Sequence, residues 1–124
     1  MRNYQCIITI NNRCRDHLRL LKQDIPWGEF ESGPVDDIPP MAEMPAFTAQ
    51  GVIGPAGTEG TVIYQVGDDA NVTITIYFDV PTRPGSSNTL NVDTSNVDIG
   101  VQVGPFNSSG SVISSTLKVL DGRG

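Results

Sequence analysis

The sequence predicts an all-β protein, an antiparallel β-sandwich of about eight to ten short strands, and three observations carry that prediction. Apolar and polar residues alternate with a period of two in the clearest stretch. There Val72, Ile74, Ile76 and Phe78 interleave with Thr73, Thr75 and Tyr77, which puts one set on a buried face and the other toward solvent. Composition agrees: 13 Gly and 9 Pro among 124 residues interrupt helices and supply turns. Alternating stretches also recur at a spacing of roughly ten residues, separated by Gly, Pro, Asn and Asp, which is how the strands of a sandwich are punctuated.

Taken in order, Tyr4 to Ile10 alternates Tyr, Cys, Ile and Ile with Gln, Ile and Thr, and Asn11-Asn12 begins a turn. Leu18 to Leu21 follows as a second strand, and the two elements read as a β-hairpin, although Arg15 to Gln23 also fits one short amphipathic helix. Ile25 to Phe30 reads as an edge strand or extended segment, because Pro26 has no N–H for a ladder and forces extended geometry on its predecessor. From Gly33 to Pro45 the four prolines Pro34, Pro39, Pro40 and Pro45 and the absence of any period predict a loop.

Ala46 to Gly51 is a short strand, and Gly54-Pro55-Ala56-Gly57 supplies a turn. Thr61 to Val66 then shows Val62, Tyr64 and Val66 on one face, and Gly67 to Asn71 joins it to the Val72 to Asp79 strand as a hairpin at the centre of one sheet. Beyond a loop from Pro81 to Ser87, Thr89 to Val92 and Val97 to Val103 alternate again. The loop Gly104 to Gly110 carries Phe106, which either pins it to the core or serves as a contact, and Ser115 to Leu120 precedes a frayed tail of Asp121 to Gly124. No repeat or linker divides the chain, so residues 1–124 form one domain, long enough to bury a single core.

A net charge of −6 argues against nucleic acid, whose binding draws on Lys and Arg. Five of the eight basic residues nevertheless fall within the first 22: Arg2, Arg13, Arg15, Arg19 and Lys22. They fit a solvated hairpin better than a phosphate-binding surface. Tyr4 to Ile10 is too short and too polar to act as a secretory leader, which predicts a cytosolic protein or one exported without a leader. Two thiols, Cys6 and Cys14, eight residues apart on a strand and near its turn, are expected to be free. Asn71-Val72-Thr73 and Asn107-Ser108-Ser109 match the glycosylation pattern and are expected to be unused.

Catalytic chemistry is poorly represented. His17 is the only histidine and has no Ser or Cys nucleophile at a recognisable elbow, so the expectation is that the protein is not an enzyme. Asp36-Asp37, Asp68-Asp69, Asp93 and Asp98 lack the spacing of a calcium loop and read as turn residues. Gly57-x-x-Gly60 has no P-loop lysine and no following helix. No metal or cofactor is expected. Trp27, the only tryptophan, admits two readings, core anchor or binding contact, and its place between Pro26 and Gly28 puts it near a loop. Tyr77 faces away from the Val72 to Phe78 core stripe and is the better surface candidate, with Phe78 directed inside.

An N-terminal strand ending in Ile-Asn-Asn, Trp27-Gly28 followed by an acidic loop containing Gly33, then Gly51, Gly57-Thr58-x-Gly60, Phe78-Asp79-x-Pro81 and Gly85-x-x-Asn88 resembles the aegerolysins, in order and spacing, over residues 4–92. That resemblance implies a small acidic β-sandwich that binds membrane sphingolipid head groups, peripheral to the membrane when bound. In some members it works with a perforin-like protein partner that makes the pore of a two-component cytolysin. It also implies a lipid-binding set of Trp27, Tyr77, Phe78, Asp79 and Glu59. Two departures stand against a direct transfer: Thr82 and Arg83 follow Pro81 where the family carries a tryptophan, and the family's lipid-discriminating acid before Gly-Thr has only Glu59 nearby. A lectin-like or self-assembling sandwich with no membrane activity is the other function the sequence admits, with self-association through unpaired strand edges.

Overall fold

The computed structural model describes residues 4–52, 56–83 and 85–123. Their strands are β1 (Gln5–Asn12), β2 (Leu18–Trp27), β3 (Glu29–Ser32), β4 (Asp37–Ile38), β5 (Glu43–Gln50), β6 (Thr58–Val66), β7 (Asp69–Val80), β8 (Thr89–Thr94), β9 (Ile99–Val103) and β10 (Val112–Asp121), with no helix among the described residues. They form two five-stranded sheets, ordered β3-β5-β1-β10-β9 and β4-β2-β6-β7-β8. Every pairing is antiparallel except β1 with β10. The molecule is therefore the all-β sandwich that the alternation requires.

Each sheet presents one apolar face to the other. Cys6, Ile8 and Ile10 of β1 and Ile113, Leu117 and Val119 of β10 are buried on one side, facing Val62, Tyr64 and Val66 of β6 and Val72, Ile74, Ile76 and Phe78 of β7. Three phenylalanine rings form a cluster between the sheets: Phe47 lies 5.5 Å from Phe78 and 5.7 Å from Phe30, with Phe30 and Phe78 6.5 Å apart. Gly60 stands opposite Phe78 in the β6–β7 ladder, and a Cβ there would approach the ring to 2.8 Å, so glycine makes room for the largest buried side chain of β7. Buried Tyr64 satisfies its hydroxyl by donating to the Val35 carbonyl at 2.8 Å. Phe106 packs against the core and pins its loop.

The expected hairpin of the first two strands does not form. β1 lies between β5 and β10, whereas β2 lies between β4 and β6 in the other sheet. Two amphipathic strands in succession can pair side by side or face each other across a core, and a period of two does not distinguish these. The crossing is fixed by Asn12, which ends β1 fully buried instead of opening an exposed turn. Its amide donates to the carbonyls of Asp16 at 2.9 Å and Ile38 at 3.1 Å, and its side-chain oxygen accepts from the Cys14 N–H at 2.9 Å. This folds the turn over the end of the core. The helical alternative for residues 15–23 is not taken.

Three smaller corrections follow. The 33–45 loop contains the two-residue β4, and β5 begins at Glu43 so that Pro45 lies inside a strand. It is tolerated where the ladder is already irregular, with the β1–β5 register shifting between Ile8 and Thr9 and β3 reaching only to Thr48. The Val97 to Val103 strand begins instead at Ile99, with Val97 exposed in the preceding turn. The C-terminal segment is tied down, not frayed: Asp121 ends β10, Gly122 N–H donates to Asp98 O at 2.7 Å, and Arg123 pairs with Asp121 at 2.8 Å. Part of the expected 54–57 turn, Arg2 of the basic group and Gly124 lie outside the described residues. Cys6 and Cys14 are free and buried.

Candidate functional site

At one end of the sandwich the last residues of β2 and β7 meet the first residues of β6. The antiparallel register sets Trp27 beside Glu59, and Glu59 beside Asp79. Together with the loop after β7 they surround an open groove of about 960 Å³. Its lining comes from Pro26, Trp27 and Gly28 at the end of β2, from Thr58, Glu59 and Asp79 on β6 and β7, and from Pro81, Thr82, Arg83, Ser86 and Ser87 after β7, with Val52 beside them.

Trp27 is 67% exposed, which settles its two readings in favour of an exposed residue beside the groove. Its backbone is nevertheless held firmly, because buried Thr58 donates its hydroxyl to the Trp27 carbonyl at 3.0 Å. At the next position Gly28 has φ of +99°, and a Cβ there would lie 2.4 Å from the Gln50 carbonyl oxygen. The chain turns at this glycine from β2 in one sheet into β3 in the other, leaving the indole projecting at the corner.

Behind the indole sits an acidic group. Tyr77 donates its hydroxyl to the Glu59 carboxylate, and this bond pushes the Tyr77 phenol up to about 12, with burial and the charges of Glu59 and Asp79 adding to it. The Asp79 carboxyl is raised above its ordinary range by burial first and by the Glu59 charge second. Two carboxylates on neighbouring strands thus face the same cavity, across which Arg83 supplies the opposite charge. The arrangement offers acceptors to a cation, a guanidinium to an anion, and an apolar surface on Trp27, Val52 and Pro81.

Of the five residues singled out in the sequence, Trp27, Glu59 and Asp79 line the groove. Tyr77 reaches it only through Glu59. Phe78 has no exposed surface and belongs to the core ring cluster, so it offers nothing to a ligand; alternation along β7 dictates this, since neighbours of an outward Tyr77 must point in. Thr82, Arg83, Ser86 and Ser87 were not expected at the site. Their only signal is a basic residue within a Pro-Gly-Ser loop of an acidic chain.

His17 pairs with Asp37 at 2.9 Å, at the opposite end of β2 from the groove. Arg19 pairs loosely with Asp68 at 3.7 Å, both of them exposed. No group of three or more His, Cys, Asp or Glu that could hold a metal occurs among the described residues.

Two five-stranded sheets packed face to face make this an all-β sandwich protein. A protein-family description, Aegerolysin, matches residues 4–121, and the chain belongs to that family. Similar solved structures include the RahU protein in complex with a TRIS molecule, with a TM-score of 0.74, 16% identity and coverage of 97% of this chain and 96% of that one. The lipid binding protein Nakanori superposes with a TM-score of 0.70 at 12% identity, covering 99% of this chain and 73% of its own. IP-1A from Alcaligenes faecalis gives a TM-score of 0.65 at 18% identity over 98% and 95% of the two chains. At these identities the likeness is one of fold. No curated protein sequence matches significantly.

Proposed function

We propose that the protein binds membrane lipid through a polar head group seated in the groove beneath Trp27, and that sphingolipids are its lipid class. The observation that carries this reading is the single tryptophan standing exposed in the lining of a groove that also holds Glu59 and Asp79. An indole with one wet edge and one apolar face settles at the boundary between lipid chains and water. The carboxylates then face the amine of a head group while Arg83 faces its phosphate. Family membership and the lipid binding protein Nakanori among the structural relatives support the reading. The head groups that fit are phosphocholine and phosphoethanolamine, each with one cation and one anion.

In this reading the protein is peripheral to the membrane, works without catalysis, and acts as the binding component for a perforin-like partner. No helix among the described residues is long and apolar enough to cross a bilayer. Co-sedimentation tests it, using vesicles of phosphatidylcholine alone, with sphingomyelin and cholesterol, and with ceramide phosphoethanolamine. Selective pelleting with one sphingolipid mixture is the expected result. Absence of pelleting with every mixture would overturn the proposal and bring sugar binding or self-assembly forward.

A further inference from the structure

A second concavity, of about 340 Å³, adjoins the first and shares Pro81, Thr82, Arg83, Ser86 and Ser87 with it. Its far wall is the loop that carries Ser108, Ser109 and Ser111. The two walls are fastened to one another by Asn88, which is only 7% exposed. Its backbone N–H donates to the Ser108 carbonyl at 2.8 Å, and its side-chain amide donates to the carbonyls of Asn107 at 3.0 Å and Gly110 at 3.2 Å. A buried asparagine therefore holds a hydroxyl-lined cleft in a fixed shape beneath an arginine.

The chemistry of the lining is selective. The chain carries 14 acids against 8 basic residues, yet the described lining of this cleft contains one arginine and no acid. None of the ion pairs among the described residues involves Arg83. Guanidinium and hydroxyl groups are donors that together surround a tetrahedral oxyanion, with the guanidinium supplying charge-assisted, bidentate contact. The Asn88 side-chain amide donates to the carbonyls of the 107–111 loop, so its N–H groups hold the cleft's shape and do not face a ligand.

We infer that the cleft between residues 81–83 and 85–87 on one side and residues 108–111 on the other is a phosphate- or sulfate-binding site, adjoining the head-group groove and sharing Pro81, Thr82, Arg83, Ser86 and Ser87 with it. The oxyanion can be a free ion or the phosphate of an anionic lipid next to the one in the groove. The inference does not rest on the head-group reading, because the 107–111 wall belongs to the second cleft alone.

The test is an amide NMR titration of the full chain with sodium sulfate and with inorganic phosphate, at ionic strength held constant with chloride. Saturable shifts at Arg83, Ser86, Ser87 and Ser108 to Ser111 are expected. Arg83→Gln should weaken them at least about tenfold, the loss of one charge-assisted contact. Ser109→Asp, at an exposed position that lines only the second cleft, should abolish them while sphingolipid-dependent pelleting stays at the wild-type level. In a parallel arm, vesicles of phosphatidylcholine with phosphatidylglycerol identify the source: pelleting that both variants lose and sulfate displaces assigns a lipid phosphate, and sulfate binding without such pelleting assigns a free ion. Shifts confined to the Arg13 and Arg15 end, shifts undiminished in both variants, or neither shifts nor variant-sensitive pelleting would overturn the inference.

Discussion

Tyr77 donates its hydroxyl to the Glu59 carboxylate across the β6–β7 ladder, one step along from the direct pairing of Glu59 with Asp79. Three groups that exchange protons or charge are thereby coupled on two strands, and the coupling fixes how the end of the sandwich responds to pH. The phenol is held protonated up to about 12, above its ordinary value of 10.0. A folded-state pKa raised in this way contributes stability that is fully present below the unfolded value and is lost as pH rises through the folded one. Stability from Tyr77 should accordingly persist to about pH 10 and disappear progressively toward 12. Tyr77→Phe should cost about 1 kcal/mol at neutral pH, by loss of one hydrogen bond to a charged group on the surface. It should also remove the Tyr77 share of the alkaline loss, leaving that of the buried thiols and Tyr64, read by urea unfolding across that range together with phenolate absorbance.

Asp79 follows the same sign at lower pH, so that its charged form at neutral pH already opposes folding. Its carboxyl is raised by burial and by Glu59, so its ionisation at neutral pH opposes folding, and stability falls as pH rises from 3.8 through the raised value. Asp79→Asn should raise the melting temperature by about 2 °C at neutral pH, a figure set by the small worth of partly exposed charge pairs. If the carboxylate faces a head-group amine, the same substitution should weaken sphingolipid pelleting. A gain in stability accompanied by undiminished pelleting would separate Asp79 from the ligand.

The two thiols give a prediction about access. Burial pushes Cys6 up to about 12 and Cys14 up to about 11, the latter with help from Asp121. Neither is ionised to a useful extent at neutral pH, and the thiolate is the reactive form. Both should resist a disulfide exchange reagent in the native protein and react together, as two equivalents, once it is unfolded in denaturant. Rapid native labelling of one of them would show that its end of the core opens locally.

How much of this was legible in the sequence depends on the kind of information each element needed. The β6–β7 hairpin could be read because alternation on both strands and a Gly67-Asp68 turn lie within a few residues of each other. The partners of β1 could not: it pairs in parallel with β10, more than a hundred residues away, and with β5, while alternation specifies which face is buried and not which strand is adjacent. β4 is two residues long and has no period to detect. At the site, Trp27, Glu59 and Asp79 were legible through motif order, but the same motif drew in Phe78 although its own alternation placed it inside. Arg83 and the serines stayed hidden because loops carry no periodicity, and only the fold brings Arg83 and residues 85–87 against residues 108–111.

Phe78 and Trp27 should separate cleanly when each is reduced to alanine. Phe78 lies in the ring cluster with no exposed surface, and its truncation should cost about 3 to 5 kcal/mol, a large part of the stability of a domain this size. Trp27→Ala should change stability by about 0.5 kcal/mol or less, leave the far-ultraviolet circular dichroism of the sheets intact, and abolish sphingolipid pelleting. A loss of folding in the Trp27 variant would contradict the exposed position.

Gly28 offers the sharpest test of how the indole is positioned. Its φ of +99° is costly for any side chain, and an added Cβ would meet the Gln50 carbonyl oxygen at 2.4 Å and the Thr58 hydroxyl at 2.6 Å. Thr58 is the residue that holds the Trp27 carbonyl, so Gly28→Ala strains the corner and displaces its anchor at once. A destabilisation of about 2 kcal/mol or more is expected from backbone strain and overpacking together. Thr58→Val keeps the volume and leaves Gly28 alone while removing the hydroxyl, so it should cost about 1 kcal/mol. If the fixed indole is what engages lipid, Thr58→Val should weaken sphingolipid pelleting well below saturation while the protein remains folded. Unchanged pelleting in a folded Thr58→Val variant would mean that Trp27 finds the membrane without its backbone being held.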